Sequence, residues 1–106
     1  MSISENKLST DLNQKLNLET AQIYWHELQR YFASGNAIFV DASLDLIQVA
    51  TQISEDNAAQ IKQWMASGLL DVVKDSQAMQ WYDDDAVVWA LVIKPLVLVQ
   101  PIIKKL

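Results

Sequence analysis

The sequence predicts an α+β fold: a small antiparallel sheet of three to four strands with about four helices packed on it. Three observations carry that expectation. Apolar residues recur at helical spacing in several segments, two of which end in glycine. Residues 46–53 alternate in the manner of a half-buried strand. The closing stretch, AVVWALVIKPLVLVQPIIKKL, is rich in Val and Ile, which favour sheet. With 106 residues the chain is read as one domain, 1–106, made of an N-terminal helical arm (1–21) and an α+β core (22–106). A domain of this size buries roughly two-thirds of the surface its unfolded chain exposes and needs no staple.

Taken in order, Ser4 to Ala21 read as a helix with a narrow stripe of Leu8, Leu12 and Leu16, capped by Ser4. A second helix places Trp25, Leu28 and Phe32 on one face and ends at Gly35, with the break before it near Gln22 to Tyr24. Ala37 to Asp41 form a short strand, Asp41 to Asp45 a turn, and Leu46 to Ile53 a return strand, so this segment is expected to be a hairpin. A third helix, capped by Ser54 or Asp56, presents Ala58, Ile61, Met65 and Trp64 and stops at Gly68. Leu69 to Lys74 is an extended link. Asp75 caps a fourth helix carrying Ala78, Met79, Tyr82 and Trp81, whose end is frayed by Asp83, Asp84 and Asp85 opposing the helix dipole.

From Val87 to Ile103 the closing stretch is about as long as the shortest membrane span, but Lys94-Pro95 interrupts it. Proline cannot take the positive φ of a type I′ hairpin turn, and it holds Lys94 extended. One long strand bent at Pro95 is therefore expected. Both its faces are apolar, Val87, Trp89, Leu91 and Ile93 against Val88, Ala90 and Val92, so both need cover. Helices are expected on one side, with a second chain as the candidate cover for the other.

Composition excludes several functions. The chain has no cysteine, so disulfides, thiol catalysis and cysteine-held metals are absent. A net charge of −5 repels nucleic acid and anionic membrane surfaces, and Lys104-Lys105 is too small a basic cluster to offset it. The start lacks a basic region followed by an apolar run, so no signal peptide and a cytoplasmic location are expected. Two glycines, Gly35 and Gly68, build no phosphate loop.

The segments ETAQIYWHELQRYFASG, AIFVDASLDLIQVATQISEDN, QWMASGLL and WALVIKPLVLVQ together resemble the small bacterial proteins known as domain of unknown function 2288. The resemblance covers roughly residues 18 to 100. Its most specific pieces are Leu44-Asp45-Leu46 and the run Val92 to Gln100. Members often carry Pro and Trp where Tyr24 and Leu96 stand, so those positions are not essential to a shared chemistry. The resemblance implies a bacterial, soluble protein and no assigned activity, catalytic residue or cofactor.

Four constellations remain. HELQR begins like a zinc-protease helix, but Arg30 stands where the second histidine belongs and His26 is the only one in the chain, so His26 and Glu27 read as solvated surface. Asp41 and Asp45 flank one turn and could act as an acid–base pair or hold a hard cation; the competing reading makes Asp41 a turn-former and Asp56 a cap. Asp45, between two leucines, is the residue with least structural excuse. Asp83 to Asp85 lack the Gly and distal Glu of a calcium loop and read as a solvated turn. The four tryptophans, Trp25, Trp64, Trp81 and Trp89, could line a pocket or an interface, though core is the ordinary role. The expected function is a non-enzymatic interaction module that self-associates as a homodimer, with no metal or cofactor. The rival is a small-molecule or enzymatic site near Trp25, Asp45 and Trp89, with Asp41, Asp45, Trp25 and Trp89 as candidate ligand or interface residues.

Overall fold

The hydrogen-bonded centre of the protein is the closing stretch, folded back on itself. In the computed structural model, which describes residues 20–102, Val87–Ile93 and Leu96–Pro101 are two antiparallel strands in register, Val92 opposite Val97 and Ile93 opposite Leu96. The single bent strand expected from sequence is therefore corrected to a hairpin. The Lys94–Pro95 peptide is cis. Turns of type VI, with a cis-proline at the third position, reverse the chain without positive φ, so the objection to a type I′ turn does not apply.

The element order is β1 (Thr20–Tyr24), a 3₁₀ turn (Trp25–Leu28) running into α1 (Gln29–Ala33), β2 (Ala37–Val40), α2 (Leu46–Ser54), α3 (Ala58–Ala66), β3 (Leu70–Val72), α4 (Asp75–Asp83), β4 (Val87–Ile93) and β5 (Leu96–Pro101). The class is α+β. The sheet has five strands in the order β1-β4-β5-β2-β3. It is mixed, because β2 and β5 are parallel while every other pair is antiparallel. This corrects the expected antiparallel sheet of three to four strands. A hairpin at Pro95 turns one expected strand into two, and β1 and β3 add its two margins.

Residues 46–53 are a helix, not the return strand of a hairpin. The segment satisfies both periods: Ile47, Val49 and Ile53 alternate, but Leu46, Val49, Ala50 and Ile53 also fall at i, i+3, i+4 and i+7. Asp45 decides between them. Its carboxylate accepts from the backbone N–H of Ile47 at 2.9 Å and of Gln48 at 3.2 Å, closing the helix N-terminus. Thr20 and Ala21 belong to β1 rather than to a helical arm. The pairing that β4 offers on its second side overrides local spacing there; the rest of the expected arm lies outside the described residues. The 3₁₀ turn and α1, α3 and α4 stand where helices were expected. Gly35 and Gly68 both take φ +77° after their helices. The cap of α3 is Asn57, whose Oδ1 accepts from the Gln60 N–H at 3.3 Å, while Asp56 takes a left-handed φ of 57°. Asp75 lies inside α4, which has no side-chain cap.

Alternation along the strands sends side chains to two cores. On one face Val88, Ala90, Val97, Val99 and Ala37 pack with Trp25, Leu28, Ala78 and Trp81. Trp25 meets Trp81 and Phe32 at ring-centroid distances of 5.1 and 5.7 Å. On the other, Leu91, Leu98, Val40 and Leu70 pack with Leu46, Val49 and Ala50 of α2 and Trp64 of α3. Both faces of the β4–β5 hairpin are thus roofed by helices of the same chain. Among the described residues no helix is long and apolar enough to cross a membrane.

Leu98 is fully buried in a strand with a partner on each side. We expect Leu98→Ala to lower unfolding free energy by about 2–5 kcal/mol through lost transfer energy and a cavity, read as a lower urea midpoint.

Candidate functional site

The two aspartates at 41 and 45 face a loop whose geometry is set from the far end of the chain. Gln100, at the end of β5, is buried among apolar neighbours. Its Nε2 donates to the carbonyl of Leu44 at 2.7 Å and to that of Asp41 at 2.9 Å. One amide thus uses both its N–H groups to fix the loop between β2 and α2. Within that loop Asp41 is a turn residue: its Oδ2 accepts from the Ser43 N–H at 2.9 Å. Hydrogen bonds from Ser43, first its hydroxyl and then its backbone N–H, hold the Asp41 carboxyl below its ordinary pKa. The exposed Asp45 caps α2 through the bonds described above. Both carboxylates are engaged by local backbone, a job that accounts for them without chemistry.

The tryptophans do not complete this site. Trp25 is fully buried in the core on one face of the sheet. Its indole N–H has no acceptor among the described residues. Trp89 packs on the other face, against the core that α2 and α3 cover, and stands beside Gln100 in the strand register. The sheet therefore separates Trp25 from Trp89 and from the helix that Asp45 caps. His26 is exposed, and its Nδ1 lies 3.4 Å from the Asp85 carboxylate. Asp85 takes a left-handed φ of 54° after α4. Among the described residues no cluster of three or more His, Cys, Asp or Glu side chains is placed to hold a metal ion.

What sequence reasoning did not single out is an open groove of about 410 Å³ where α3 and the end of α2 overhang the sheet. Ile38, Ile53, Ile61, Met65, Val72 and Leu96 line it, with Asp56, Lys62 and Asp71 as its charged residues. Met65 and Val72 are about half exposed. Its signal was the same Leu46–Ile53 segment: read as a helix, it turns Ile53 toward Ile61.

The two margins of the sheet differ. At β3, Val73 N–H bonds Ala37 and Asp41 N–H bonds Leu69, so Leu70 and Val72 direct their backbone groups outward. The outward N–H of Val72 is taken by the Asp71 carboxylate at 2.8 Å. At β1, Thr20–Tyr24 carries no charge and no proline, and among the described residues no strand pairs with its outer side.

The sequence profile of the family described as Protein of unknown function (DUF2288) matches residues 11–101. The chain belongs to the DUF2288 family. An NMR solution structure of a similar protein, PA1075 from Pseudomonas aeruginosa, is 38% identical and superposes with a TM-score of 0.78, over 87% of this chain and 85% of that one. No match is found among curated proteins. The two most specific DUF2288-like pieces of the sequence, Leu44-Asp45-Leu46 and the run ending at Gln100, meet in space through the Gln100 amide. In this DUF2288 protein their joint role is to close the β2–α2 loop onto the sheet.

Replacing Gln100 by Ala leaves two carbonyls without their donor in a half-buried loop. We expect Gln100→Ala to lower stability by about 1–3 kcal/mol, measured by urea unfolding, with chemical-shift changes concentrated in residues 41–48.

Proposed function

We propose that the protein is a non-enzymatic interaction module of the bacterial cytoplasm that self-associates as a homodimer. The ground expected from sequence, an uncovered face of the closing strand, is removed by the fold, which roofs both faces within one chain. The observation that supports self-association instead is the inequality of the sheet's margins. β3 carries the charge of Asp71, whose carboxylate takes the outward N–H of Val72, whereas β1 presents an uncharged, proline-free edge of five residues. Edges unpaired among the described residues, as β1 is, are of the kind most proteins blunt with charge or proline.

Two further features favour an interaction module over a small-molecule or enzymatic site. Trp25, Asp45 and Trp89 are spread over both sides of the sheet, and the carboxylates of Asp41 and Asp45 are engaged as turn and cap. The groove beside α3 is open and has no aromatic side chain in its lining; pockets for small ligands are commonly lined by aromatic groups. The net charge of −5 argues against nucleic acid as the partner, and the similarity to a Pseudomonas aeruginosa protein supports the bacterial setting.

Sedimentation equilibrium tests the reading. We expect a monomer–dimer equilibrium whose dimer fraction grows with concentration up to about 1 mM. Added salt strengthens it, because screening relieves repulsion between two like-charged copies. A monomer at every concentration and salt would overturn the proposal.

A further inference from the structure

The margin at β1 specifies how two copies meet, an inference that rests on the self-association proposed above. We propose that β1 pairs with β1 of a second copy, antiparallel about a twofold axis at Gln22, joining two five-stranded sheets into one continuous sheet.

Hydrogen-bond parity is the first support. The Trp25 N–H donates to the Ala86 carbonyl at 2.8 Å. In the observed register this makes Ile23–Val88 and Ala21–Ala90 the hydrogen-bonded pairs with β4. Thr20, Gln22 and Tyr24 therefore turn their N–H and C=O groups to the outer side. With Gln22 opposite the Gln22 of a second copy, Thr20 falls opposite Tyr24, and outward groups meet outward groups at all three positions. That is a ladder of up to about six backbone bonds.

Side chains fit the same register. Thr20, Gln22 and Tyr24 share one face, and Ala21 and Ile23 share the other. Across the twofold a smaller residue meets a larger one on either side of the centre, Thr20 against Tyr24 and Ala21 against Ile23, and the two central glutamines can bond amide to amide. No charge opposes the approach within Thr20–Tyr24, which matters for a chain of net charge −5. An isologous contact of this kind closes on itself, and at β3 the Asp71 carboxylate takes the outward N–H of Val72 and sets a charge on that margin, which disfavours a second pairing site there. The contact is small, below the roughly 1,200 Å² typical of stable complexes, so the dimer is a weak one.

Two variants test it. Gln22→Pro removes an outward N–H while the bonds to β4, which run through Ala21 and Ile23, are kept; proline is tolerated on such an edge. We expect far-UV circular dichroism and thermal midpoint close to those of the parent, and self-association weakened at least about tenfold in sedimentation equilibrium. Gln22→Cys introduces the only cysteine of the chain. Hydrogen-bonded antiparallel pairs hold their Cα atoms about 5.5 Å apart, within disulfide reach. Mild oxidation should therefore give a covalent dimer, and Gln63→Cys on the exposed face of α3 should not. If Gln22→Pro folds and dimerises like the parent, or Gln22→Cys cross-links no faster than Gln63→Cys, the β1 pairing falls while the homodimer stands. If the parent chain is monomeric, both fall. Should Gln22→Pro fail to fold, the comparison of the two cysteine variants decides alone.

Discussion

A strand pair that is apolar on both faces must be roofed twice, and in this chain both roofs come from helical segments that precede the pair in sequence. Val88, Ala90, Val97 and Val99 need cover on one side of the β4–β5 hairpin, and Leu91 and Leu98 on the other. The 3₁₀ turn and α4 supply the first with two tryptophans, Trp25 and Trp81; α2 and α3 supply the second. The remaining strands flank the hairpin, β1 against β4 and β2 against β5, with β3 beyond β2. The hairpin thus sets the sheet order and the division of the helices between two layers.

Gln100 ties this frame to the loop that looked most like a site. A lone amide at the end of an apolar strand would be costly if unpaired. Here its two N–H groups meet the carbonyls of Asp41 and Leu44, more than fifty residues earlier in the chain. That bond pair positions Asp45 to cap α2, and α2 in turn roofs Leu91 and Leu98. The family-like motifs at residues 44–46 and 92–100 thus meet in one folding contact, and the carboxylates of Asp41 and Asp45 serve there as turn and cap. Two surface features stand outside this frame: a groove beside α3 and, among the described residues, an unpaired margin at β1.

Much of this was legible in the residues, and the failures have physical causes. Gly35 and Gly68 marked the ends of α1 and α3, and the turn role of Asp41 was read correctly. Residues 46–53 failed because a Val- and Ile-containing segment of that length fits both periods, and only the Asp45 cap separates them. The Pro95 hairpin was not legible because the common two-residue hairpin turns need positive φ, which proline cannot take, whereas this turn carries a cis Lys94–Pro95 peptide. β1 failed because its strand character comes from β4, a partner more than sixty residues away, and local spacing carries no record of it. The site suffered the same way: the groove exists only once residues 46–53 are a helix, and Gln100 became a positioning residue only once β5 had been brought beside the β2–α2 loop.

Native-state hydrogen exchange on dilute protein tests the central claim, that the doubly roofed β4–β5 hairpin is the last part of the molecule to open. The account predicts that the amides of Leu91, Leu98 and Val99 exchange only through global unfolding, with free energies equal to that from urea denaturation, while the outward amides of β1 exchange far faster. Exchange of the β4–β5 amides through local opening well below the global free energy, with α2 or β1 more protected than the hairpin, would contradict it.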